Sequence, residues 1–241
     1  MTKLKRASNL FYCLITSPLW ILQGLIFKKV ALRLPEAKGL DSAENIDNEK
    51  QFDFLMLGDS VAAGVGIDHI DNALAGTIAK TWKSNKHSSE QQIAWQVIGQ
   101  SGLKIGDLVR LLEKRTLKAN YFVISIGVND AKGFTSIKEW RKQTTQLFNL
   151  LLEKSPNAKI IILAVPDMNQ FPLLHLPLAK VLGDRCEQLN QVTQALITVH
   201  PNLIYQPIEM TVNKENFAPD GFHPSSSACQ QLAKNILTHV L

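Results

Sequence analysis

From Phe52 to the C-terminus, short apolar runs alternate with segments that repeat apolar residues every three or four positions. No other feature narrows the possible folds so far. The runs predict strands over 53–57, 94–98, 120–126, 159–165 and 203–206. The segments between and after them predict helices over 72–84, 105–117, 136–154, 178–199 and 225–240. Ile137, Trp140, Thr144, Leu147 and Leu151 form one helical stripe, and Leu178, Cys186, Leu189, Val192, Leu196 and Val199 another. Trp140 and the other stripe aromatics are therefore assigned to the core rather than to a cofactor site. Five strands separated by helices imply a parallel sheet covered on both faces, a three-layer α/β/α sandwich of flavodoxin-like topology.

In such sheets ligands bind outside the carboxyl ends of the strands. The chemistry should therefore sit in the strand-end loops. These carry Gly58-Asp59-Ser60, then Gly99-Gln100-Ser101-Gly102, then Gly127-Val128-Asn129-Asp130, and finally Asp220-Gly221-Phe222-His223-Pro224. A serine hydroxyl becomes a nucleophile only when a base removes its proton and a third group orients that base. Ser60, His223 and Asp220 supply the three parts, the last two from a single loop. Donors for a developing oxyanion would be the Ser60 amide, the Gly102 amide and the Asn129 side chain. Asp59 is expected to brace the loop by hydrogen bonds to Asn129 or to nearby amides, without reacting.

These four blocks, in this order, resemble the SGNH or GDSL hydrolase family over about residues 52–240. The resemblance places Ser60 as nucleophile, Gly102 in the second block, Gly127, Asn129 and Asp130 in the third, and Asp220 with His223 in the last. Gly99 competes with Gly102 as amide donor. The implied activity is that of an esterase, lipase, thioesterase or carbohydrate deacetylase. A serine hydrolase acting on carboxylic esters or thioesters, with lipid-like acyl groups favoured, is the expected function. A carbohydrate O-deacetylase, or a membrane-tethered binding protein that keeps the fold without turnover, is the alternative.

Other motifs are excluded by spacing. Ser101 lacks the G-x-S-x-G elbow. Gly58 to Gly66 does not follow G-x-G-x-x-G, and Gly-Lys-Ser/Thr is absent, so no nucleotide cofactor is implied. The remaining histidines show no ligand spacing, and no metal is expected. Three scattered cysteines, Cys13, Cys186 and Cys229, indicate neither a disulfide framework nor a zinc site. Between the fourth strand and its helix, Pro166 to Leu178 carries three prolines, and Phe171, Leu173, Leu174 and Leu176 there are expected either to line an acyl pocket or lid or to cover the sheet.

The N-terminus differs from this body. The chain carries a formal charge of +5, yet residues 1–40 hold seven cations against Glu36 alone, leaving −1 for the rest. A nucleic-acid partner is therefore not indicated. Residues 10–27 are uncharged and would span about 27 Å as a helix. KKVALRLP follows them, so a cleaved signal peptide fits poorly. Leu10, Leu14, Ile21, Leu22 and Leu25 share one helical face opposite Thr16 and Gln23. A helix lying in a membrane interface, a spanning anchor, or a helix packed on its own domain each accommodate that pattern. The expected layout is a membrane-associated segment over 1–35, a linker over 36–51 and a hydrolase domain over 52–241.

Overall fold

The computed structural model describes residues 3–40, 51–85, 92–208 and 213–239. Its sheet has five parallel strands: β1 (Phe52–Gly58), β2 (Trp95–Gly99), β3 (Ala119–Ser125), β4 (Lys159–Leu163) and β5 (Leu203–Gln206). Their order is β2-β1-β3-β4-β5. The strand order reverses between β1 and β3, which opens a crevice at their carboxyl ends.

Helices cover both faces because every inner strand is apolar on both. Leu55, Leu57, Phe122, Ile124, Ile160 and Ile162 face one core, while Phe54, Met56, Val123, Ile161 and Leu163 face the other. This is the two-residue alternation of a doubly covered sheet. In chain order the helices are α1 (Lys3–Ile15), α2 (Ser17–Val30), α3 (Leu74–Asn85), α4 (Ile105–Glu113), α5 (Val128–Lys132), α6 (Ile137–Lys154), α7 (Leu178–Ile197) and α8 (Ser226–Leu237). α4, α6 and α7 bury their apolar stripes in the first core, and α3 and α8 in the second. Ser136 and Ser225 cap α6 and α8 by accepting the Glu139 and Ala228 N–H groups.

The three-layer sandwich matches the sequence pattern, with differences at the element ends. The helix predicted over 105–117 stops at Glu113, and Leu117 is instead buried on the way into β3. The short α5 carries no countable periodicity and is absent from the sequence reading. The single N-terminal helix is broken at Thr16. Pro18 has no N–H for the Leu14 carbonyl, and the Ser17 hydroxyl donates to it instead at 2.8 Å. Of the expected linker, residues 41–50 lie outside the described residues, but 36–40 pack on the body. Ala37 is buried, its N–H donates to Ala63 O at 3.0 Å, and Lys38 bridges to His69.

Trp140 is fully buried, and its Nε1–H donates to Leu189 O and Thr193 Oγ1, both at 3.2 Å. Trp140→Ala is expected to destabilise the fold by about 3–5 kcal/mol, as measured by urea unfolding. Cys186 and Cys229 are buried, and burial pushes each thiol up to about 12. They are packing residues, inert at neutral pH.

Candidate active site

β1 delivers Ser60 to the crevice. Gly58 closes the strand in register with Gly99 and Ser125 at a φ of 147°, and a Cβ there would collide with the Ser125 carbonyl. Only glycine lets the sheet stay paired while the chain turns. Ala63 N then donates to Asp59 O at 3.0 Å and Val65 N to Ser60 O at 2.9 Å, folding the small residues back on themselves. Ser60 is left 8% exposed.

The last loop holds its own geometry. Asp220 Oδ1 accepts the N–H groups of Phe222 and His223, each at 3.0 Å, and Oδ2 lies 2.6 Å from His223 Nδ1. One carboxylate thus shapes the turn and aims the ring. Burial pushes the Asp220 carboxyl up, but hydrogen bonds from the His223 ring and from the two amides outweigh it and hold the group below its usual range. An ionised Asp220 can only accept, so Nδ1 carries the proton and Nε2 of the neutral ring is the free acceptor.

Ser60 and His223 line one cavity, with no direct hydrogen bond between them. Its volume is about 60 Å³, and Phe171, Phe217, Phe222, Val128 and Leu163 form much of its apolar wall. On this measure a water takes about 10–15 Å³, so the space suits a short acyl group. A larger groove of about 690 Å³ lies beneath α1 and contains none of the block residues. Of the four residues expected from the 166–178 loop, only Phe171 lines the cavity. A one-turn 3₁₀ helix at 168–170 and a hydrogen bond from Leu174 N to Phe171 O fold the loop back. Leu174 therefore enters the core, while Leu173 and Leu176 point outward. Phe217 and Phe222 are not among the residues the sequence pattern points to, although Phe222 falls within the last block.

The second and third blocks are tied to each other. Asn129 Nδ2 donates to Leu103 O at 3.0 Å, and Asp130 Oδ2 accepts from Ile105 N at 3.0 Å. Thr135 Oγ1 holds the other Asp130 oxygen at 2.8 Å. Gly102 has a φ of 87° and open space over its α-carbon, whereas a Cβ on Gly99 would press on Ala62. Among the described residues neither the Gly102 nor the Ser60 N–H makes a hydrogen bond. Gly102 and Asn129 do not line the Ser60 cavity itself. A further contact was not foreseen: Glu36 Oε1 accepts from Ser101 N at 2.6 Å, so the N-terminal segment holds the loop of the second block.

Asp59 braces its own turn, not Asn129. Its Oδ1 accepts from Val61 N at 3.3 Å, and Oδ2 has no partner among the described residues. Burial pushes the carboxyl up to about 7, against the Val61 N–H and the nearby Lys132. An acid raised from about 4 in the unfolded chain costs the fold stability as pH climbs through that interval. Asp59→Asn should therefore gain more in Tm over the wild type at pH 8 than at pH 4.5. Equal differences at the two pH values would contradict this.

The chain belongs to the GDSL-like lipase/acylhydrolase family, whose model matches residues 56–230. It is an esterase of that family. Solved structures share its fold. A lipase/acylhydrolase from Enterococcus faecalis superposes with a TM-score of 0.60 at 21% identity, over 78% of this chain and 94% of that one. A lipase from a goat rumen metagenome gives 0.59 at 16% identity, over 77% and 95%. A family 2 carbohydrate esterase from Corynascus thermopiles gives 0.61 at 11% identity, over 80% and 65%. No curated protein matches the chain by sequence.

Proposed function

We propose that the protein hydrolyses carboxylic esters or thioesters through an acyl-serine intermediate, on a membrane surface reached through residues 10–27. Ser60 Oγ attacks the acyl carbon as His223 Nε2 takes its proton. Asp220 holds the ring and stabilises the imidazolium, which then protonates the leaving group. The oxyanion is received by the N–H groups of Ser60 and Gly102 and by the second hydrogen of the Asn129 amide, whose first is engaged by Leu103. A water activated by the same histidine releases the acid.

One observation carries this reading: an oriented His223–Asp220 pair and a recessed serine on a single apolar cavity. Apo sites often hold the serine and base beyond bonding range until substrate binds. The test is a nitrophenyl ester and acyl-thioester series. Asn129→Ala should lower kcat about 10²–10³-fold; an unaltered kcat would remove Asn129 from the oxyanion site.

The small volume of the cavity favours a second reading, release of acetyl groups from carbohydrate. Acetyl release from acetylated xylan, with no turnover of acyl chains beyond four carbons, would select it over a lipid-like substrate.

A further inference from the structure

α2 is apolar on both faces, and its one glutamine is turned inward. A surface helix ordinarily buries its leucines and exposes its glutamine. Here Trp20, Gln23 and Phe27 face the body. The Trp20 ring lies 5.4 Å from that of Phe134, and the Phe27 ring 6.0 Å from that of Phe222. Gln23 Nε2 donates to Leu176 O at 2.9 Å, and its Oε1 accepts from Leu178 N at 3.1 Å. Leu19, Leu22, Leu25 and Ile26 point away from the body, with Leu25 63% exposed.

Such exposure is local to this corner of the molecule. Among the described residues fourteen large apolar side chains are exposed, and ten of them lie between Phe11 and Leu32. Phe134 and Leu176 border α2, and Leu173 lies over Gly221 beside Phe222; the remaining one is Val199. A contiguous apolar patch of this kind marks a binding surface.

Three observations choose its occupant. First, among the described residues no helix is long and apolar enough to cross a membrane, and α1 and α2, on either side of Thr16, both pack against α7. Second, Lys28, Lys29 and Arg33 follow the apolar stretch, and residues 1–40 carry seven cations against one acid. An anionic lipid surface meets both features. A second copy of the chain would set like charge against like across a two-fold interface. Third, the patch adjoins the cavity wall: beneath it Phe27 packs on Phe222, at its edge Leu173 covers Gly221, and Phe222 lines the space beside Ser60.

We propose that residues 11–32 are a docking platform for an anionic lipid surface, and that the esters cleaved are amphiphiles drawn from that surface past Phe222. The second half rests on the hydrolase reading above; the first does not. Docking puts the mouth of the cavity at the level of the lipid headgroups, where swinging Phe222 aside would give an acyl chain more room than the resting cavity.

The test uses the full chain with phosphatidylcholine vesicles, with and without phosphatidylglycerol. Binding should require the anionic lipid and weaken with salt. Lys28→Glu with Lys29→Glu should weaken it at least tenfold, since each cation near such a surface contributes about fivefold. Leu22→Asp with Leu25→Asp should weaken it by roughly 100-fold or more. That variant should keep hydrolysis of a soluble short-chain nitrophenyl ester within twofold, while turnover of a long-chain ester embedded in vesicles falls at least tenfold. Ser60→Ala should bind vesicles as the wild type does. If vesicles bind but no ester is cleaved, the hydrolase reading fails and the platform stands. Absence of vesicle binding, unaltered binding by both double variants, or a dimer in solution that Leu22→Asp with Leu25→Asp dissolves would overturn the platform.

Discussion

Replacing Ser60 by alanine is expected to lower kcat for a soluble nitrophenyl ester by about 10⁶-fold, leaving KM within a few-fold. The size follows from the coupling of the parts. Once the hydroxyl is gone, the His223–Asp220 pair has no proton to take, and only the oxyanion donors and substrate positioning still act. Those retain roughly 10³–10⁴ over the reaction in water. The substitution removes one oxygen from a side chain only 8% exposed and breaks no backbone bond, so the Asp59 to Val65 turn should survive. A loss of only tenfold would mean that another group attacks the ester.

Asp220→Asn is expected to lower kcat by about 10⁴-fold with the fold intact. Asparagine can still accept the Phe222 and His223 N–H groups through its carbonyl oxygen, so the loop stays shaped. Its NH₂ must then face Nδ1. That contact favours the tautomer with the proton on Nε2, which can no longer accept from Ser60. Asp220→Ala would confuse this with collapse of the turn, which is why asparagine is the informative change. A kcat near wild type in the asparagine variant would mean that the carboxylate only shapes the loop.

Most of the sheet was legible because burial on both faces leaves a strong signature. Runs such as Phe54-Leu55-Met56-Leu57 and Ile160-Ile161-Ile162 are apolar at every position, as central parallel strands require. The four blocks were legible because each falls just past a strand or just before a helix, where the fold needs glycine or a cap for its own reasons. What could not be read were contacts between loops. Asn129 turns to Leu103 and Asp130 to Ile105, and no local pattern distinguishes these from a bond to Asp59. The 166–178 loop reads as uniformly apolar, yet its short 3₁₀ turn sorts Phe171 and Leu174 inward from Leu173 and Leu176. At the N-terminus, periodicity separated the leucine face from the Gln23 face but could not say which one meets the body. Glu36 looked like linker because a carboxylate that serves a distant amide leaves no trace in its neighbours.

The central claim is that Ser60 and His223 act as one nucleophilic unit on their shared cavity. Labelling the full chain with a fluorophosphonate, followed by peptide mass spectrometry, tests it most directly. One adduct on the peptide carrying Ser60, formed at least about 10³-fold more slowly in His223→Ala, is the expected result. An adduct on Ser101, or labelling of Ser60 at an unaltered rate without the histidine, would contradict it.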